Sequence, residues 1–376
     1  MTNIAWLYDK DHSLNPFFGL AIHSLVKEGF GVTIIDRACH HIDDAYKHIR
    51  LGVKTAFLWK RVRIKGYGIL MRWLSLFSML FRVLREKPSI IITSLPTDGM
   101  VGWMAKILLK TRLVYYPFEL YGEQDQRVWT FWRKCEAWLL SRGADSVITQ
   151  NDYRAQIYVN ERKARVSPAV VHNYKQKRSA GHSGRLRELL NLSEDSRIVL
   201  YEGQLQRGRL LDKLLEATLY FPEKTILVLM GEAMPWWKNN ASELLSLPKI
   251  AAHTFIAPYV PHKEVLEYIA DADVGVIIYD GNIRNNYFCE PGKLSDYVFA
   301  GVPVAVPDFP TIAPVVRKYG IGAVFERPLP REIAGAVRFI LSHPRQAWSP
   351  ALEKAAEELT WESQEPGFLK AVSGRG

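Results

Sequence analysis

The residues best placed to do chemistry are Arg209, Lys293 and Asp296. Lys293 and Asp296 lie three apart in NYFCEPGKLSDYVFAGVPVAVP, residues 286–307, a stretch that reads as a helix leading into a strand buried on both faces. Pro291 suits the first helical position, where a missing N–H costs nothing, and Gly301 suits the left-handed residue that ends a helix. A helix of roughly three turns is expected between them. Leu294, Tyr297 and Val298 follow the spacing of a buried stripe, while Lys293, Asp296 and Ala300 share another face. The start of such a helix favours an anion such as a diphosphate, and Lys293 adds a full charge. Asp296, one turn deeper, can accept hydrogen bonds from the paired hydroxyls of a ribose. The same spacing also fits the solvated face of an ordinary surface helix. Arg209 stands in RIVLYEGQLQRGRLLDKLLEA, a strand, a turn with Gly203 and Gly208, and a helix. A turn of this kind lets backbone amides approach a phosphate, which Arg can clamp with two parallel hydrogen bonds.

These side chains need a scaffold, and the chain alternates short apolar runs with helical patterns. In residues 1–175 the runs are NIAWLY, GVTIID, KTAFLW, SIIITS, RLVYYP, SVITQ and AVVHN, which imply βαβ units and a parallel sheet. The long polar loop after the first run precedes a helix expected at His23–Glu28. Residues 170–187 turn basic and lose periodicity, with Gly181, Ser183 and Gly184 marking a linker. Beyond it come RIVLYE, TILVLM, HTFIA, a helix at Pro261–Ala270, VGVIIY, VPVAVP and GAVF, then helices near Pro330–Leu341 and Trp348–Leu359. The expected domains are therefore 1–178 and 188–345. No G-x-G-x-x-G fingerprint is present, which argues against a dinucleotide-dependent dehydrogenase.

At 376 residues the chain exceeds what one hydrophobic core comfortably serves, and its 48% hydrophobic and 23% charged content is that of a soluble globular protein. Cys39, Cys135 and Cys289 fit no zinc or redox spacing and read as reduced thiols of a cytoplasmic protein. The N-terminal run turns charged at Asp9, as a first strand does and a signal peptide does not. No apolar run approaches the roughly 20 residues that span a bilayer. The net charge of +10 still points to an anionic partner. Residues 60–87 hold eight basic residues against one acidic, interleaved with Leu, Met, Phe and Trp. They suit either a core helix with a solvated basic face or a helix lying on an anionic membrane, more than a nucleic-acid groove. Asp271 and Asp273 read as a local cap, and His40 and His41 lack partners at ligand spacing, so no metal is expected.

The run PGKLSDYVFAGVPVAV resembles the P-x-K-L-x-E-Y-x-x-x-G-x-P-V segment of family-four retaining glycosyltransferases, and RIVLYEGQLQRGRLLDKLLEA resembles their Y-Q-G-x-L-x-x-G-R-G-L-x-x-L-L-x-A segment. The resemblance implies the GT-B fold: two Rossmann-like α/β domains, parallel sheets with helices on both faces, facing a cleft. The last helix, within 350–376, would cross back to the first domain. It implies that Gly203, Arg209 and Lys293 hold the diphosphate of a UDP- or GDP-linked sugar, that Asp296 binds the ribose in place of the usual Glu, and that Asn286 and Tyr287 border the sugar. No cofactor or metal is implied. The family's E-x7-E pattern has Phe288 at its first Glu, and Glu290 lies out of register. RLVYYPFELYGEQ resembles the V-Y-D-x-H-E segment, keeping Glu119 but replacing Asp and His with Tyr116 and Phe118, so Glu119 is the candidate for the acceptor hydroxyl. Glu136, in a helix resembling the family's E-x-x-L, reads as structural.

Together these imply transfer of a hexose to a glycan or lipid-linked acceptor in cell-surface polysaccharide synthesis. The enzyme would be cytoplasmic and peripheral on the inner face of the cell membrane, attached through 60–87 and without a nucleic-acid partner. The alternatives are a GT-B sugar-nucleotide 2-epimerase, or a membrane-associated protein that kept the fold and lost catalysis.

Overall fold

The computed structural model describes residues 2–10, 16–36, 45–51, 67–120, 127–235, 237, 241–261 and 263–374. The chain divides into two compact units, Met1–His172 with Gln364–Gly376, and Asn173–Ser363.

The first unit is built on seven parallel strands: β1 (Asn3–Tyr8), β2 (Gly31–Asp36), β3 (Lys47–Arg50), β4 (Ile90–Thr93), β5 (Arg112–Tyr115), β6 (Ser146–Thr149) and β7 (Ala169–Val170). Their order is β3-β2-β1-β4-β5-β6-β7, with Ile4 opposite both Val32 and Ile90. Helices Pro16–Lys27, Tyr67–Glu86, Pro96–Leu109, Arg127–Trp138 and Asp152–Asn160 alternate with the strands. Such crossovers are what keep a parallel sheet covered. The central strands are accordingly continuous apolar runs, and Trp6 of β1 is fully buried.

The second unit has six parallel strands: β8 (Arg197–Glu202), β9 (Thr225–Met230), β10 (Thr254–Ala257), β11 (Val274–Val276), β12 (Val304–Pro307) and β13 (Gly322–Phe325), in the order β10-β9-β8-β11-β12-β13. Both sheets reverse their strand order beside the first strand, between β1 and β4 and between β8 and β11, which is the doubly wound arrangement.

Several expectations need correction. The division falls between His172 and Asn173 rather than after residue 178, and only Gln364–Gly376, not the whole of 350–376, joins the first unit. Buried Leu352 and Ala355 put helix Ser349–Glu358 in the second unit's core. Helix Pro16–Lys27 starts well before His23. The edge strand β3, KHIR, has one apolar residue and alternates with no buried face, so its sequence carries no strand pattern. KTAFLW, Cys39, His40, His41 and residues 60–66 of the basic stretch lie outside the described residues. The helix expected from Pro291 begins at Lys293 and ends at Phe299, seven residues with Gly292 as its N-cap. Gly301 follows in the left-handed conformation, φ 66°.

Candidate functional site

In an open α/β sheet, ligands bind at the carboxyl ends of the strands where the order reverses. In the second unit those strands are β8 and β11. β8 ends in Tyr201 and Glu202, Gly203 follows, and Tyr279 stands three residues past β11. The turn after β8 is anchored along its length: Gly203 N donates to Met230 O, Leu205 N to Glu232 O, and Asp280 N to Gly208 O at 3.0 Å. Gly203 sits at φ 125°, and a Cβ there would come within 2.6 Å of Lys293 Nζ. Leu210 occupies the position where the resemblance expects glycine, and it adopts the left-handed conformation at φ 44°, ψ 38°. That costs a non-glycine residue about 1–2 kcal/mol.

Arg209 and Lys293 converge here from separate stretches of the unit's sequence. The Arg209 guanidinium lies 4.3 Å from the Tyr279 ring centroid, and Lys293 Nζ lies 4.0 Å from the Tyr201 centroid and 5.6 Å from that of Tyr279. Lys293 Nζ is buried with no hydrogen-bond partner among the described residues. Burial lowers its pKa to about 7, opposed by the Glu202 carboxylate and reinforced by Arg209. Glu202, which no local motif marks in the sequence, has its Oε2 likewise buried and without a partner among the described residues.

Asp296 is only 3% exposed, which rules out the solvated-face alternative. Lys175 Nζ donates to its Oδ2, and Lys175 N donates to Ser295 Oγ at 3.3 Å. Burial pushes the Asp296 carboxyl above the usual range, and Lys175 opposes that shift. Lys175 was invisible in the sequence because it lies 121 residues from its partner.

The other expected residues are placed less centrally. Asn286 Nδ2 lies 3.4 Å from Gly208 O and 3.3 Å from Asp280 O, tying the 280–287 loop to the turn. The Tyr287 ring packs 5.1 Å from Phe309 and 5.0 Å from Phe288. Glu290 Oε2 accepts from Asn173 N at 3.0 Å. Glu119 belongs to the first unit, on an exposed bend after β5. That bend is held by Gln150 Nε2 donating to Pro117 O and Arg154 Nη1 to Phe118 O. Glu136 is fully buried, accepting from Tyr115 Oη at 2.8 Å and Arg162 Nη1 at 2.9 Å, the structural role expected of it.

Asp271 and Asp273 are latches. Asp271 accepts from the backbone N–H groups of Ser183, Gly184 and Leu186, and Asp273 from Ile198 N and Arg197 Nη1. Among the described residues no group of three or more His, Cys, Asp and Glu side chains comes together as a metal site.

No family model matches the chain, and no curated protein does. Solved structures match it end to end. Sucrose-phosphate synthase from Thermosynechococcus elongatus aligns at a TM-score of 0.78 and 17% identity, covering 100% of this chain and 99% of its own. Anabaena HepE in complex with UDP aligns at 0.76 and 13%, covering 100% of both chains. WaaG, a glycosyltransferase involved in lipopolysaccharide biosynthesis, aligns at 0.73 and 14%, covering 99% of this chain and 100% of its own. At these identities the likeness is one of fold, and the fold of this chain is GT-B.

Proposed function

We infer that the chain is a retaining glycosyltransferase that moves a hexose from a UDP- or GDP-linked sugar to a glycan or lipid-linked acceptor in cell-surface polysaccharide synthesis, without a metal or other cofactor. The observation that carries this reading is the convergence of Arg209 and Lys293, two basic side chains with no ion pair among the described residues, at the strand-order reversal of the second unit. HepE, which shares the fold, has been seen with UDP and with UDP-glucose. As the bond from the anomeric carbon to the diphosphate breaks, negative charge grows on the leaving oxygen, and Arg209 and Lys293 stabilise it. Asp296, kept ionised by Lys175 despite its burial, accepts from the ribose hydroxyls. Glu119 orients the acceptor hydroxyl, whose proton passes to the leaving phosphate on the same face of the sugar. A thermal-shift series with UDP, GDP, ADP and CMP tests the reading. One nucleoside diphosphate should raise the melting temperature, and its sugar conjugate should give an α-configured product by NMR; no shift with any of the four overturns it.

Helix Tyr67–Glu86 supports placing this activity on the cytoplasmic face of an anionic membrane. Its buried residues Leu76, Met79 and Val83 account for the face turned to the core. Trp73, Phe77 and Phe81, four apart, are 49%, 61% and 62% exposed on the opposite face, with Arg85 over the Phe81 ring at 5.8 Å. A solvated helix would place polar residues there. Aromatic rings backed by arginine suit the boundary between headgroups and acyl chains. No described helix is long and apolar enough to cross a membrane.

A further inference from the structure

Cations that grip a diphosphate must be held in place without being neutralised. A carboxylate partner would hold them but cancel their charge and compete with the ligand. An aromatic face attracts a cation through its ring quadrupole and leaves the charge whole. The second unit uses the aromatic solution, with the Glu202 carboxylate acting on Lys293 without a hydrogen bond to it. Tyr279 carries the Arg209 guanidinium at 4.3 Å, and its ring centroid is also 5.6 Å from Lys293 Nζ, which rests at 4.0 Å over Tyr201. Both rings are buried, so little water competes for the cations. Arg209 and Lys293 form no ion pair among the described residues. The Lys293 seat depends on Gly203, whose missing side chain leaves room for the ammonium. Burial pushes the phenols of Tyr201 and Tyr279 up, so both rings stay uncharged across the physiological range.

We propose that Tyr279 is a positioning residue for donor binding, a ring shelf that holds Arg209 and Lys293 together without a direct ion pair so that both meet the diphosphate. The proposal rests on the donor-site reading above. Three consequences separate it from a plain packing role. The effect belongs to the ring and not to the hydroxyl, so Phe substitutes for Tyr. It acts on the phosphates, so the nucleoside half of the ligand is indifferent to it. It acts through the cations, so it shrinks when one of them is removed.

The test is calorimetry on the full chain with inorganic diphosphate, with the nucleoside diphosphate that the wild type binds, and with that nucleoside alone. Tyr279→Phe should bind all three within about twofold of wild type. Tyr279→Leu should lose about 10-fold or more in affinity for inorganic diphosphate and for the nucleoside diphosphate, two desolvated ring contacts being at stake, and nothing for the nucleoside. The loss should be smaller in the Arg209→Ala background. If Tyr279→Leu does not fold, Tyr279→Met, whose unbranched side chain adapts to the space without a ring, takes its place. Wild-type diphosphate affinity in the ringless variant overturns the proposal, and so does a Phe variant as weak as the Leu variant. A wild type that binds neither inorganic diphosphate nor any nucleoside diphosphate overturns the donor reading and this proposal with it.

Discussion

Lys293 has an ammonium that burial disfavours, and its folded pKa of about 7 stands well below the ordinary lysine value of 10.5. A depressed lysine pKa contributes stability that is fully present above the unfolded value and is lost as pH falls through the folded one. Near pH 7 the free protein thus holds a mixture of amine and ammonium. A diphosphate favours the ammonium, so donor binding should take up a proton at and above about pH 7, and affinity should fall as pH rises beyond it. Binding enthalpies measured in buffers of different ionisation enthalpy check this, and a buffer-independent enthalpy would refute it. Arg209→Ala and Lys293→Ala should each cost about 2.7–4 kcal/mol of barrier, the size of one preorganised contact to developing charge, and turnover at the wild-type level in either variant would overturn the donor-site reading. Arg209, Lys293 and Asp296 were legible in the sequence as candidates because each belongs to a local strand, turn or helix pattern. Lys175, Tyr201, Glu202 and Tyr279 were not, because their meaning comes from partners that only the tertiary fold supplies. Leu210 defied its type: a β-turn rule would ask for glycine at that φ, and the leucine side chain packs on the core instead.

At the scale of elements, apolar β-rich runs located nearly every described strand, since strands buried on both faces advertise themselves by composition. The strand that escaped, KHIR, is an edge strand with little burial to write into its sequence. Helix Tyr67–Glu86 carries the element-scale prediction. Trp73→Ser, Phe77→Ser and Phe81→Ser change exposed side chains and should leave folding intact. Liposome co-sedimentation of the wild type should appear with anionic but not zwitterionic lipid and weaken with salt. The triple variant should lose it. Recovery of the variant in the pellet at the wild-type level would assign the aromatic face to something other than lipid. Arg61, Arg63 and Lys65 to Ser should weaken the same binding through charge alone. The bend after β5 carries a second test, for Glu119→Gln should lower transfer while leaving nucleotide affinity unchanged; if both fall, Glu119 is structural.

At the scale of the whole molecule, the first unit is completed by a segment that arrives after the entire second unit has been made. Phe368 and Val372 are fully buried, Phe368 lies 6.0 Å from the Tyr116 ring, Arg112 Nε donates to Val372 O at 3.1 Å, and His172 N donates to Gln364 Oε1. A buried Phe cut to Ala costs about 3–5 kcal/mol, because transfer free energy and cavity add. That cost falls on the first unit, whereas under the proposed function a nucleoside diphosphate near Arg209 and Lys293 would stabilise the second by mass action. Phe368→Ala should therefore speed hydrogen exchange in β4 and β5, and saturating nucleotide should slow exchange in β8 and β11 of the same variant without restoring β4 and β5 to wild-type rates. Restoration of both sheets by nucleotide would mean that the two cores unfold as one cooperative body. Unchanged exchange in β4 and β5 would mean that the returning segment decorates the first unit without stabilising it, against the burial of Phe368.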